Sequence, residues 1–345
     1  MKKKKIISSA ALALALLLTV QLLAGCADHS PSRISAQTVT TLSDAQEPAA
    51  SSDETVEAPV EETQPEAWGR TVTVDGKTWR YNSRLRTVLF LGVDSRDTAQ
   101  LDKKGVGAGG RSDTILLLVI DQDAKTVQPV TVSRDTMTSV DVYDRDRNFL
   151  FSGQMQLNMQ YSFGDSPKRS CLLAKNKVSQ VLYGIPIQSY ISLTLDGIVA
   201  AGEAMGGVTV TLEEDWTDID STYTAGSTIT MDGPALERFI RYRDTGSVGS
   251  NNVRMGRHRW FIQQMFRQLN GMNGSMVENL MNQVEPYMET DMDGDTIKQL
   301  ASYQVSDTMM NIPGETHHGQ AHDEFYIDQA ALQTFLLELF YVPAE

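Results

Sequence analysis

Positive charge is scarce in this chain. Its 345 residues hold 30 Lys and Arg against 44 Asp and Glu, a net charge of −14. Lys2 to Lys5 account for four of those cations, so the chain beyond them is more acidic still. A protein that grips nucleic acid needs a basic face for the phosphate backbone, and this balance argues against that partner. Cysteine occurs only at Cys26 and Cys171. With Cys26 assigned to export chemistry below, no intramolecular disulfide is available, and Cys171 reads as a small hydrophobe at the start of a helical pattern. The five histidines (His29, His258, His317, His318, His322) lack the spacing of a zinc site. No Gly-x-Ser-x-Gly elbow is present, which argues against a serine hydrolase. The glycine-rich stretch 97–110 does not end in Gly-Lys-Ser/Thr and no helix follows it, so a P-loop fails too.

What is present begins with an export signal. Lys2–Lys5 form a charged region, Ile6–Leu23 an apolar stretch, and Leu23-Ala24-Gly25-Cys26 follows directly. This resembles the bacterial lipobox, in which the cysteine becomes the lipidated first residue. The alternative is an uncleaved membrane anchor, since the stretch is nearly long enough to span a bilayer. Either way the rest of the chain is expected outside the cytoplasmic membrane of a bacterium, anchored to its outer face. Residues 27–68 are rich in Ser, Thr, Pro and acidic residues and almost free of large apolar ones. They read as a disordered tether. A flexible coil of roughly 40 residues spans on the order of 35 Å. The main folded domain is expected over 69–275, with a C-terminal helical extension, 276–345, packed on it.

Hydrophobic content of 41% is enough for a sizeable core. Thr71–Val74 and Lys77–Tyr81 alternate around Asp75-Gly76, a hairpin signal. Thr87–Gly92, Thr114–Asp121 and Val127–Val132 read as buried strands, the last two an antiparallel pair across a short turn. Leu172–Tyr183 has helical spacing and stops at Gly184. Tyr190–Leu193 and Val208–Leu212 read as strands, and Asp196 is placed to cap a helix between them. Asp232 caps the next helix with Pro234 in its first turn. A further helix is expected over 253–269. Strands alternating with helices make this one α/β domain, a mixed central β-sheet flanked by helices on both faces.

Four short polar clusters interrupt the apolar surroundings: Asp94-Ser95-Arg96, Arg111-Ser112-Asp113, Arg134-Asp135-Thr136 and Arg241-Tyr242-Arg243. The first three adjoin the predicted strands, and strand ends of an open α/β sheet are where ligands gather. The guanidinium fork fits phosphate oxygens, and carboxylate oxygen fits Mg²⁺. Between Glu237 and Arg267 seven arginines stand against Glu237 and Asp244, a local excess that a bound polyanion would explain. Arg254 and Arg257, three apart on the last predicted helix, share one face. A single Arg–Asp pair is ordinarily a weak surface ion pair. Four such clusters at element ends point instead to a site for a phosphorylated substrate with a metal ion.

Read together, the motifs resemble the LytR-CpsA-Psr family of extracytoplasmic phosphotransferases. The resemblance rests on Leu91-Gly92-Val93-Asp94-Ser95-Arg96, Arg111-Ser112-Asp113-Thr114, Ser133-Arg134-Asp135-Thr136, Gly206-Gly207-Val208, Arg241-Tyr242-Arg243 and Arg254-Met255-Gly256-Arg257, in the family's order over residues 85–270. It implies transfer of a glycan-phosphate, such as teichoic acid or capsule, from a polyprenyl-pyrophosphate carrier to peptidoglycan. It implies Mg²⁺, with Mn²⁺ as an alternative ion, held by Asp94 and Asp113. It surrounds the pyrophosphate with Arg96, Arg111, Arg134, Arg241, Arg243, Arg254 and Arg257. Arg134, Asp135 and Arg111 are the expected catalytic residues, with Arg134-Asp135 orienting the acceptor hydroxyl. Many members carry an aspartate where this chain has Asn251, which cannot act as a base at neutral pH. The helix 172–183, the helix after Asp196 and the strand 190–193 are candidates to line a groove for the prenyl tail. Other readings are a polyprenyl-pyrophosphate pyrophosphatase and a non-catalytic regulatory lipoprotein that binds wall glycan or prenyl phosphate.

Overall fold

The computed structural model describes residues 68–95, 106–242, 268, 274–293, 296, 299–300, 303–306, 308–319 and 322–344. The export signal, Cys26, residues 27–67 of the tether, Arg96, Arg243, Asn251, Arg254 and Arg257 lie outside the described residues, as does the predicted helix 253–269 apart from Gln268.

The chain enters with the hairpin β1 (Thr71–Val74) and β2 (Lys77–Tyr81). Asp75 and Gly76 both take positive φ, 50° and 72°, which lets a two-residue turn follow the twist of its strands. Next come β3 (Leu85–Val93), β4 (Ser112–Asp121) and β5 (Thr126–Thr131). An antiparallel ribbon follows, β6 (Met137–Tyr143) with β7 (Phe149–Gln156), then a 3₁₀ turn over Leu157–Phe163. Helix α1 (Pro167–Val181) leads to β8 (Ser189–Thr194) and α2 (Leu195–Ala204). The pair β9 (Val208–Thr211) and β10 (Thr228–Met231) precedes α3 (Gly233–Arg241) and α4 (Gly274–Val284). The rest comprises β11 (Met288–Thr290), β12 (Gln304–Val305), β13 (Met310–Asn311), the hairpin β14 (Gly314–His318) and β15 (Asp323–Ile327), α5 (Gln329–Phe340) and β16 (Tyr341–Pro343).

The central sheet has the order β11-β8-β3-β4-β5-β12, with β13 also on β5. β3 and β8 run parallel, while β4 is antiparallel to both β3 and β5. Successive side chains of a strand face opposite ways, and here both ways are buried. Val88, Phe90, Leu116, Leu118 and Ile120 pack with Ala201 of α2, Phe239 of α3 and Leu280 of α4. Leu89, Leu91, Ile115, Leu117 and Val119 pack with Val178 of α1 and Leu336 of α5. Burial on both faces explains the unbroken apolar runs that made these strands legible. The fold is the expected α/β architecture, a mixed sheet with helices on both faces.

Several details differ from expectation. α1 starts five residues earlier than Leu172, because Ser166 accepts a hydrogen bond from the Arg169 amide and Pro167 sits in the first turn. Thr194 rather than Asp196 holds the N-cap position of α2, and Asp196 lies in its first turn, where the helix dipole favours negative charge. The C-terminal part is more than a helical extension: β11 pairs with β8 at one edge of the central sheet, and β12 and β13 pair with β5 at the other. These strands cover edges that would otherwise expose unpaired backbone groups. The proposed lining of a prenyl groove also changes. α1 and α2 pack on opposite faces of the sheet, so the two helices and β8 cannot line a single slot.

Candidate active site

The parallel pairing of β3 with β8 puts their C-terminal ends side by side, Val93 opposite Thr194. The antiparallel partner β4 begins at the same pole, Val93 opposite Ser112 across a bulge after Gly92. β5 ends there too, since Thr131 pairs with Leu116 and the Val132 amide donates to the Ile115 carbonyl. The residues at or just beyond these ends are Asp94-Ser95, Arg111, Asp113 as the second residue of β4, Arg134-Asp135 and Asp196. Chain segments far apart in sequence are thus gathered by sheet register alone.

Asp94 is tied to the β4 entrance through main chain. The Arg111 amide donates to Asp94 Oδ1 at 2.6 Å, and the Asp94 amide donates to the Arg111 carbonyl at 3.0 Å. Gly110 permits this approach. Its φ is +79°, and a Cβ there would lie 3.0 Å from Asp94 Oδ1 and 3.3 Å from Val93 Cγ1. Burial pushes the Asp94 carboxyl above the ordinary carboxylate range. The Arg111 amide and the Arg111 and Arg134 guanidiniums pull the other way without cancelling it.

Arg134 occupies the middle of the cluster. Its Nη1 lies 2.6 Å from Asp113 Oδ1 and its Nε 3.2 Å from Asp135 Oδ1, with 17% of its side chain exposed. Burial works against the charge of this arginine, but the neighbouring carboxylates more than offset it and raise its pKa. Asp135 is buried beneath Gln156, whose Nε2 donates to Asp135 Oδ1 at 2.7 Å and to the Asp323 carbonyl at 2.9 Å. The Asp135 carbonyl accepts from the Phe325 amide at 2.8 Å. Through these contacts Asp135 braces Arg134.

Gln156 and Asn158 were invisible to sequence reasoning. The fully buried Asn158 donates from its amide nitrogen to the Arg134 carbonyl at 3.1 Å and, through Nδ2, to Asp113 Oδ1 at 3.4 Å. Neither residue belongs to a polar triplet or a periodic run. The signal that would have found them is the ribbon β6–β7, which leaves the Arg134-Asp135 corner and returns to it at Gln156.

Four buried oxygens in this region, Thr114 Oγ1, Thr131 Oγ1, Asn158 Oδ1 and Thr194 Oγ1, have no hydrogen-bond partner. Buried polar atoms are seldom left so, and a Lewis-acidic or protonated guest would satisfy them. Among the described residues no group of three or more His, Cys, Asp or Glu is placed to hold a metal. Mg²⁺ does not need one: it is commonly held by one or two carboxylates plus water and substrate phosphate. Asp94 and Asp113, beside the unsatisfied Asn158 oxygen, fit that donor set.

Arg111 is exposed, with its guanidinium close enough to Asp94 to bias the carboxyl. Arg241, at the end of α3, pairs with Glu237 at 2.8 Å on its own helix.

The sequence signature of the LytR_cpsA_psr family matches residues 39–339. Relatives include an Enterococcus faecalis protein described as polyisoprenyl-teichoic acid–peptidoglycan teichoic acid transferase TagU, 27% identical over 64% of this chain and 66% of its own length. An Oceanobacillus iheyensis protein of the same description is 28% identical over 68% of this chain and 67% of its own. The chain therefore spans about two thirds of the length of these relatives. Among solved structures, TagU of Bacillus subtilis superposes with a TM-score of 0.52 at 18% identity, covering 74% of this chain and 96% of the other, a likeness of fold.

Proposed function

Because this chain belongs to the LytR_cpsA_psr family, we propose that it is a wall glycopolymer transferase, moving a glycan-phosphate from a polyprenyl-pyrophosphate carrier to peptidoglycan. The relatives' activity on teichoic acid and peptidoglycan supports the substrate class. The observation that carries the reading is the largely buried group of Asp94, Asp113 and Arg134 at one pole of the sheet, with the unsatisfied Asn158 oxygen beside it.

In the reaction a hydroxyl oxygen of the acceptor sugar bonds to the glycan-bearing phosphorus. The bond from that phosphorus to the bridging oxygen breaks, polyprenyl phosphate leaves, and the hydroxyl proton passes to solvent or a neighbouring base. Such transfers are catalysed mainly by positioning and by stabilising charge. Asp94, Asp113 and Asp135 against Arg111 and Arg134 leave one negative charge, so these five groups alone would repel a pyrophosphate. Mg²⁺ held by Asp94 and Asp113 would supply the missing positive charge at the pyrophosphate oxygens. Arg111, exposed at the rim, is placed to meet an incoming anion. Arg134 holds Asp113 in position, and Asp135 with Gln156 holds Arg134. Arg96, Arg243, Arg254 and Arg257 extend the same proposal to residues outside the described set. We place the protein outside the cytoplasmic membrane, tethered through a lipid on Cys26.

The test is transfer of a radiolabelled lipid-linked glycan in the presence and absence of peptidoglycan. Label should enter peptidoglycan only when acceptor is present. Release of label at the same rate without acceptor would replace transfer by hydrolysis, and no turnover in either case would remove the enzymatic reading.

A further inference from the structure

The opposite pole of the sheet holds a cavity of about 980 Å³ where β3 begins. It lies between the β1–β2 hairpin, the Asn82–Leu85 corner and the turn through Pro186 and Gln188 before β8. Arg70, Arg80 and Arg84 line it, and among the described lining residues none is acidic. In a chain of net charge −14 that is a concentrated exception. Arg84 is offset in part by Asp123 at 3.6 Å, a pair exposed to solvent. Such exposed pairs are weak, so most of the positive charge stays available to a guest.

The cavity is also built rather than incidental. Main-chain bonds from Trp68 to the Tyr183 carbonyl (2.6 Å), from Tyr81 to Arg70 (2.8 Å) and from Asn82 to Phe340 (2.8 Å) fix its rim. The Trp68 ring is propped edge-on by Tyr341 at 5.6 Å between centroids and by a tilted Tyr183 at 5.3 Å. Tyr81 stacks on Phe340. Rigid aromatic faces suit the apolar C–H faces of sugar rings. Asn82, Ser83 and Gln188 supply amide and hydroxyl groups for sugar hydroxyls, and arginine supplies the fork that fits phosphate oxygens. A lipid tail would want no arginines here.

We propose that this cavity binds an anionic glycan chain carrying phosphodiester groups. Its distance from the active-site pole is the length of β3, from Leu85 to Val93, roughly 26 Å at the usual rise of an extended strand. Several repeats of a polymer span that length. Resting on the proposed function, the cavity holds distal repeats of the same glycan whose first residue is transferred at the Asp94 pole, and it favours long chains over short ones.

The experiment is calorimetric titration of the full chain with a synthetic glycerol-phosphate hexamer. R70E/R80E should weaken binding by about tenfold or more, the scale of one or two lost charge-assisted hydrogen bonds. Uncharged maltohexaose should not bind. Wild-type affinity in R70E/R80E or equal binding of maltohexaose would each overturn the site. If the charge reversal unfolds the hairpin, R80A with a wild-type melting temperature must still weaken binding, and wild-type binding must fall steeply with salt. In the transfer assay R70E/R80E should raise KM for polymer while leaving transfer of a lipid-linked disaccharide unchanged. A wild-type protein that transfers neither substrate would refute the enzymatic reading, while the titration would still decide the cavity.

Discussion

Removing Asp113 tests whether the ion pair at the centre of the candidate site is formed as described. Arg134 is 17% exposed and Asp113 only 4%, with 2.6 Å between Nη1 and Oδ1. Deleting one partner of a buried pair typically costs about 3–5 kcal/mol, because the other charge is left uncompensated. Here Asp135 remains 3.2 Å from Arg134 Nε and the arginine keeps some solvent contact, so the lower end applies. We expect Asp113→Ala to lose about 3 kcal/mol, and Asp113→Asn, which retains a neutral acceptor, about 1–2 kcal/mol. For a domain of this size about 3 kcal/mol lowers the melting temperature by roughly 6–12 °C. Chemical denaturation followed by circular dichroism measures both, and a cycle with Arg134→Ala isolates the pair. The double variant should lose clearly less than the two single losses added together. If Asp113→Ala stays within about 0.5 kcal/mol of wild type, the scale of an ordinary surface substitution, or if the cycle shows no coupling, Arg134 does not anchor Asp113. The account of Asp113 as a pre-positioned ligand then fails with it.

Asp94 gives the opposite sign. Burial raises its carboxyl in the folded protein, so the folded state holds more proton than the unfolded chain between the ordinary and the raised pKa. Stability is therefore lost as pH rises through that window. Asp94→Asn should melt higher than wild type at neutral pH, lose the advantage at a pH below the ordinary carboxylate value of about 3.9, and lose transferase turnover. A lower melting temperature at neutral pH would contradict the burial argument. Gly110→Ala changes no charge but forces a Cβ against Asp94 Oδ1 at a φ of +79°. The left-handed backbone alone costs about 1–2 kcal/mol, and turnover should fall sharply. Full turnover in this variant would show that the Asp94 position is not critical. Chelation with EDTA should stop glycan transfer, with Mg²⁺ or Mn²⁺ restoring it. Undiminished transfer after exhaustive chelation would remove the metal from the proposal.

The strands that carry the candidate site were readable because each is buried on both faces. β3 and β4 present uninterrupted apolar runs of strand length, and the polar residues that end them are the residues of the site. Where burial is one-sided or absent the sequence says less. β7 begins Phe149-Leu150-Phe151, all three about half exposed, so its apolar content does not alternate and marks no inner face. β12 and β13 are two residues each. Their strand character comes from pairing with β5, and no local propensity encodes that. The joint lining of one prenyl groove by α1 and α2 was misread for a related reason: periodicity shows that each helix has an apolar face, but not which side of the sheet each covers. Arg134 shows the deepest limit. Its position at a strand end could be read, yet whether its guanidinium meets a phosphate or a carboxylate depends on Asp113 arriving from a different strand. Sequence placed both residues at the pole. Only the register of β4 between β3 and β5 brings them within 2.6 Å and gives the arginine a carboxylate partner.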